Sequence, residues 1–148
     1  MVHYNLTFTI SSPGDTIMFM EFSPNGRFIA VRDRAMSSLF VLDRLAGFHP
    51  IISSITPIEP TALVWETSKT FYVGLRDGRF IYYEIDLRGK SLVEGPTNSF
   101  FRGAFPVTAM ALDAEAKTLV LSMDLEVLAF RRTHTTGMFF CWRIRVAS

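Results

Sequence analysis

The sequence is poor in cysteine and nearly balanced in charge. Cys141 is the one cysteine among 148 residues, so an internal disulfide is excluded and we expect a reducing, cytoplasmic compartment. Fifteen Lys and Arg against 14 Asp and Glu give a net charge of +1, which argues against a basic surface for nucleic acid. No apolar run approaches the roughly 18 residues of a membrane-spanning helix, and the first residues do not form a secretory signal. We therefore expect a soluble, intracellular protein that contacts neither nucleic acid nor membrane.

Motifs for metal, cofactor and nucleophilic chemistry are also missing. His3, His49 and His134 stand far apart, and none has a second ligand at the spacing of a metal site. Cys141 lies in an aromatic stretch, which favours a buried, unreactive thiol. No glycine-rich loop suited to phosphate is present. We predict no metal site and no cofactor.

The carboxylates do not form a recognisable catalytic pair. Glu66, Asp77 and Glu84 fall at expected turns or strand ends, where solvated charges are common. Acid–base catalysis needs groups held within reach of one another, and the sequence offers no converging polar cluster. We predict that the protein has no catalytic residue and is not an enzyme.

What the chain does contain is a dense set of β-strand signals. Phenylalanine occurs 14 times and apolar residues make up 49% of the sequence, a composition that favours strands. Within Met18–Asp43, alternating residues lead into the turn sequence Ser23-Pro24-Asn25-Gly26, and two short apolar strands follow. No segment shows helical periodicity with caps. We predict an all-β chain.

The arrangement of strand, turn and strand recurs twice more. Asp77-Gly78 marks the hairpin turn of the second unit. The last large apolar residues before the first turns, Phe22, Trp65 and Leu112, lie 43 and then 47 residues apart. The expected strands are 4–10, 18–22, 28–31, 39–42, 51–55, 62–65, 71–75, 80–83, 91–93, 107–112, 118–122, 127–130 and 138–146.

These repeats resemble those of the WD40 family. WD40 blades recur about every 40–45 residues with four strands each, and the stretch FSPNGRFIAV, beginning at Phe22, is similar to a WD40 turn and strand. Where a WD repeat ends in Trp-Asp, this chain has Leu42-Asp43, Tyr83-Glu84 and Phe130-Arg131. The Gly-His pair usual before a WD blade is absent.

The resemblance implies a partial WD40-like β-propeller of about three four-stranded antiparallel blades. The expected organisation is a single repeat region over 1–148, with repeats at about 14–59, 60–104 and 105–148. WD40 propellers serve mostly as rigid platforms, so the implied function is a non-catalytic scaffold for protein–protein interaction. Because three blades cannot close a ring of the usual size, we expect either a fragment or truncated form of a larger propeller, or a homodimer that completes one ring.

Two arginine-rich connections are the expected partner-binding loops. They join the second and third strands of successive units and would lie at one end of the blades. Their composition suits acidic or phosphorylated peptides, although charged hairpin tips that protect strand edges would look the same. The candidate residues are Arg32, Asp33, Arg34, Arg76, Asp77 and Arg79.

Two alternatives stay open at this point. A small closed β-barrel that binds an apolar ligand would also use many strands and phenylalanines, but strands 28–31 and 39–42 are apolar on both faces, which suits stacked blades better. A hydrolase or lyase on a propeller scaffold would need a polar cluster that the sequence does not reveal.

Overall fold

Twelve strands form three antiparallel sheets of four strands each. The computed structural model describes residues 3, 17–33, 38–55, 59–98, 105–113, 115, 117–132 and 138–145. Each sheet is built from consecutive strands in sequential order, and the described residues contain no α-helix, with one 3-10 turn at Arg44–Ala46. The predicted all-β, partial-propeller fold is thereby confirmed.

The sheets are called here the first, second and third blade. The first contains β1 (Ile17–Phe22), β2 (Phe28–Asp33), β3 (Ser38–Asp43) and β4 (His49–Ile55). The second contains β5 (Pro60–Trp65), β6 (Thr70–Leu75), β7 (Phe80–Asp86) and β8 (Ser91–Asn98). The third contains β9 (Val107–Asp113), β10 (Thr118–Met123), β11 (Glu126–Arg132) and β12 (Met138–Arg145).

The predicted turn residues close the hairpins as their chemistry requires. Gly26 has φ 71° and donates its N–H to the Ser23 carbonyl at 2.8 Å, while the Ser23 hydroxyl accepts from Phe28 N–H at 3.0 Å. Gly78 has φ 89° and donates to the Leu75 carbonyl at 3.1 Å. Both glycines supply a positive φ, which residues that carry a Cβ adopt only at a cost in free energy.

The blades stack face to face in chain order. The innermost strands β1, β5 and β9 contact one another in succession, and β4 contacts β8 on the outer side. One apolar core lies between the first and second blades and includes Phe28, Leu39, Trp65 and Phe71. A second core lies between the second and third blades. Each core is the covered face of two sheets, which no blade could bury alone.

The strand boundaries refine the sequence prediction in two places. Strand β2 continues to Asp33, so Arg32 belongs to a strand and not to the polar connection expected after Val31. The chain end forms β12, which pairs with β11 as the fourth strand of the third blade. The predicted strand at 4–10 lies outside the described residues. Within the part of the chain that the structure describes, no helix is long and apolar enough to cross a membrane.

Candidate functional site

Two arginines from different blades converge on one carboxylate at one end of the stack. Glu59 immediately precedes β5, the inner strand of the second blade. One of its carboxylate oxygens accepts from Arg32, at the end of β2, and the other accepts from Arg76 Nη1 at 3.1 Å. The Glu59 carbonyl also accepts from the Arg76 backbone N–H at 2.9 Å. Glu59 therefore fixes both guanidinium groups in place.

The turn between β6 and β7 extends this cluster. Asp77 Oδ2 accepts from Arg79 Nε at 2.6 Å, and its other oxygen accepts from the Arg79 backbone N–H at 3.2 Å. A Cβ added at Gly78 would lie 3.0 Å from the carbonyl oxygen of Phe105, just before β9. The turn thus reaches the start of the third blade. We name the set Arg32, Glu59, Arg76, Asp77 and Arg79 the arginine cluster.

Burial divides the arginine cluster into a supporting part and an accessible part. The Arg32 side chain is 4% exposed, Glu59 34% and Arg76 70%. Hydrogen bonding to Arg32 lowers the pKa of Glu59, and this outweighs the opposing effect of desolvation. Arg32 Nε is buried and has no hydrogen-bond partner among the described residues. The cluster combines an accessible guanidinium with a buried donor that still lacks an acceptor.

The structure brings most of the predicted loop residues together but changes their roles. Arg32 is a buried strand residue, contrary to the exposed loop position predicted for it, because β2 extends two residues further than expected. Asp33 ends β2, and Arg34 lies outside the described residues. Arg76, Asp77 and Arg79 form the predicted turn. That this end binds a protein or peptide stays a prediction.

Glu59 is the residue that sequence reasoning missed. It stands between Pro57 and Pro60 in a stretch interpreted as a loop framing an outer strand. Its partner Arg32 is 27 positions away, so the contact exists only after the two blades have stacked. The sequence did contain a signal for Glu59. It directly precedes inner strand β5, at the end of the blade where the arginine-rich turns were expected.

A second polar cluster joins the second and third blades at the opposite end. Glu66 forms an ion pair with Arg132 and accepts from the Tyr72 hydroxyl at 3.2 Å. The Arg132 guanidinium lies 4.9 Å from the centre of the Tyr82 ring. Burial and the nearby Glu66 charge raise the pKa of Tyr72, so this phenol stays neutral. We name Glu66, Tyr72, Tyr82 and Arg132 the Glu66 cluster.

The Glu66 cluster corrects the expectation of a solvated carboxylate at this position. The side chains of Glu66 and Arg132 are 15% and 23% exposed. Burial alone lowers the pKa of Arg132, but hydrogen bonds to Glu66 and Tyr82 more than offset this and the pKa is raised. With Tyr72 2% exposed, the cluster has little room for a ligand. We interpret it as a contact that holds two blades together.

The histidines and the cysteine carry no site that the structure describes. His3 is exposed, and His134 lies outside the described residues. His49 and Cys141 belong to β4 and β12. Among the described residues, no group of three or more His, Cys, Asp or Glu is placed to hold a metal ion.

Comparison with known proteins finds similarity in structure only. No protein-family model and no curated protein matches the sequence. A protein from Lactobacillus plantarum matches with a TM-score of 0.78 at 13% identity, over 95% of this chain and 47% of that one. A Bacteroides fragilis protein provisionally named 6-phosphogluconolactonase gives 0.74 at 14%, over 92% and 41%. The periplasmic gluconolactonase PpgL of Pseudomonas aeruginosa gives 0.67 at 18%, over 85% and 40%. This chain therefore spans less than half the length of each.

These similarities contradict the predicted function. A non-catalytic WD40 scaffold, and with it the prediction that the protein is not an enzyme, is not supported, because two of the similar structures carry lactonase names. The error has a physical origin. The turn residues and repeat spacing report how strands follow one another, whereas function resides in side chains placed at the strand ends. At 13–18% identity the likeness itself shows the fold alone.

Proposed function

We propose that this chain forms part of a β-propeller hydrolase that opens the ring of an anionic sugar-acid lactone. The supporting comparison is the shared fold with structures named 6-phosphogluconolactonase and gluconolactonase. The single observation that carries the proposal is the arginine cluster, where the exposed Arg76 and the buried Arg32 are both held by Glu59. Fixed guanidinium groups suit carboxylate or phosphate oxygens.

Lactone hydrolysis needs this kind of electrostatic support. Water adds to the ring carbonyl carbon, the bond from that carbon to the ring oxygen breaks, and a carboxylic acid and a hydroxyl group result. Negative charge develops on the carbonyl oxygen in the transition state, and donors aimed at that oxygen lower the barrier. We assign Arg76 to the substrate anion or the developing oxyanion, since it is the most exposed guanidinium of the cluster.

Glu59 is assigned a positioning role in this reaction. Its pKa is lowered by hydrogen bonding to Arg32, which makes the carboxylate a weaker base than a free one. An effective general base has a pKa near the working pH. Glu59 is therefore better suited to orienting Arg32 and Arg76 than to taking a proton from water.

The test measures hydrolysis of 6-phosphogluconolactone and of gluconolactone by the assembled protein. The release of acid reports the reaction, and the spontaneous rate is subtracted. Arg76→Ala is expected to lower kcat/KM roughly 10- to 100-fold, the range for a lost hydrogen bond to a charged group. Arg88→Ala is the matched control, because Arg88 is also exposed but lies in the β7–β8 turn at the other end. No turnover of 6-phosphogluconolactone, the anionic lactone of the two, above the spontaneous rate would reject the proposal. Equal activity of the two variants would reject the assignment of the site.

The predicted cytoplasmic location is retained within this proposal. It rests on the single cysteine, Cys141, since a chain without a cysteine pair gains nothing from an oxidising compartment. Fractionation of the source cells, with detection by an antibody to this chain, checks it. Recovery in an extracytoplasmic fraction would be the contrary result.

A further inference from the structure

Equivalent positions on the three inner strands have very different exposure. Phe22, Trp65 and Leu112 are equivalent, since each ends the apolar part of its inner strand and pairs with a large apolar residue of the next strand. Trp65 is 8% exposed and is covered by the first blade, and Leu112 packs against the core under the second. Phe22 is 55% exposed. The first blade therefore offers a face of the kind that is covered elsewhere in the chain.

The neighbouring positions on β1 repeat this contrast. Met20 is 67% exposed, whereas its equivalents are Leu63, 7% exposed, and Met110, which packs on the second core. Met18 is 51% exposed on the same side of the strand. We name Met18, Met20 and Phe22 the bulky face of the first blade. Three large apolar side chains in a row on one strand indicate a contact surface.

The face of the third blade that lies away from the second blade presents small side chains on its inner strand. Ala109 and Ala111 of β9 are exposed, whereas their neighbours on the same side of the third blade, Val120 and Ala129, are half-buried and buried. The counterparts of Ala109 and Ala111 in the second blade, Ala62 and Val64, contribute to the core between the second and third blades. We name Ala109 and Ala111 the small face of the third blade.

We propose that a second copy of this chain covers both faces and closes a six-bladed ring. The bulky face of one copy packs on the small face of the other. The two-fold symmetry generates this interface twice, and an interface between two neighbouring blades is called a joint below. Size favours this pairing, because small side chains leave room for methionine and phenylalanine. Length favours it as well, since the Lactobacillus plantarum structure matches 95% of this chain with 47% of its own, so two copies equal it in length.

The joint inside the chain shows how the new joint is arranged. Trp65 of the second blade donates from Nε1 to the Glu21 carbonyl of the first at 3.2 Å. Glu21 lies one residue before Phe22, as Ala111 lies one residue before Leu112. By this equivalence, Phe22 of one copy lies against Ala111 of the other. The contact is specific enough to be tested with opposite charges.

The first measurement is the mass of the purified chain in solution by light scattering after size-exclusion chromatography. We expect twice the 16.8 kDa of one chain. Phe22→Lys and Ala111→Glu, each alone, are expected to weaken the dimer roughly 1,000-fold, since each removes about 30-fold at both joints. The double variant, Phe22→Lys with Ala111→Glu, places opposite charges at both joints and is expected to restore the dimer.

Leu45→Asp is the matched control, because Leu45 is 76% exposed but lies in the 3-10 turn, outside the strands β1 and β9 that carry the two faces. It should leave the dimer intact. A compact, cooperative monomer of the parent chain would overturn the proposal. Detection in source cells of a longer polypeptide that contains this chain would overturn it too, since further blades of that polypeptide would then cover the two faces. Dimers from both single variants would reject the proposed joint.

Discussion

Removal of the Trp65 side chain gives the most direct test of blade stacking. Trp65 is 8% exposed, its ring centre lies 4.8 Å from that of Phe71, and its Nε1 donates to the Glu21 carbonyl in the first blade at 3.2 Å. Truncation of a buried tryptophan to alanine costs about 3–5 kcal/mol, and a hydrogen bond contributes about 1 kcal/mol of this. Trp65→Ala should therefore lower the free energy of unfolding by about 4 kcal/mol, and Trp65→Phe by about 1–2 kcal/mol.

The assay is urea unfolding followed by far-UV circular dichroism, with thermal melts as a second readout. At about 2–4 °C per kcal/mol for a chain of this size, Trp65→Ala should lower Tm by about 8–16 °C. Leu45→Ala is the control, because an exposed side chain outside both cores should change stability by less than about 0.5 kcal/mol. Losses below about 1 kcal/mol for both Trp65 variants would refute the described packing between the first and second blades.

Three further predictions concern the joints and their charges. Gly74→Ala should lower the free energy of unfolding by about 1–3 kcal/mol, because the added Cβ would lie 2.6 Å from Val107 Cγ1. An unchanged urea midpoint would contradict the close approach of Gly74 to Val107. Because the pKa of Glu59 is lowered, its contribution to stability is complete above about pH 4.3, the unfolded value, and is lost as pH falls through the native pKa. Glu59→Gln should therefore reduce the fall in the free energy of unfolding between neutral and acidic pH. An unchanged fall would count against the ion pairs of Glu59. A double-mutant cycle of Glu66→Gln and Arg132→Gln should give about 1–3 kcal/mol of coupling by urea unfolding, whereas additive losses would exclude the contact.

The sequence was sufficient for the fold because the relevant signals are local. Alternation in β1, the Ser23–Gly26 turn and the Asp77-Gly78 turn each specify strand and reversal within a few residues. The 43-residue spacing from Phe22 to Trp65 then shows that the same unit recurs. What the spacing does not show is exposure. Phe22 and Trp65 look alike in sequence, yet one is 55% exposed and the other 8%.

The arginine cluster was predicted only in part because its contacts are not local. Arg76, Asp77 and Arg79 are adjacent in sequence, and their hairpin turn was expected. Arg32 and Glu59 meet across 27 residues, and their contact depends on the register of two blades. An arginine beside an apolar strand is usually taken as solvent-exposed. Here Glu59 compensates the charge of Arg32, and strand β2 continues through Arg32 to Asp33.

The two carboxylates that flank β5 show how polar contacts complete an otherwise apolar stack. Glu59 precedes the strand and pairs with Arg32 of the first blade, whereas Glu66 follows it and pairs with Arg132 of the third. Apolar faces attract without direction, so two ion pairs at opposite ends restrict how the second blade turns between its neighbours. Their surroundings then separate their roles. Glu66 lies in a closed network with Tyr72 and is expected to affect stability. Glu59 also holds the exposed Arg76, so its loss should reduce stability above about pH 4.3 and, under the proposed lactone hydrolysis, turnover as well.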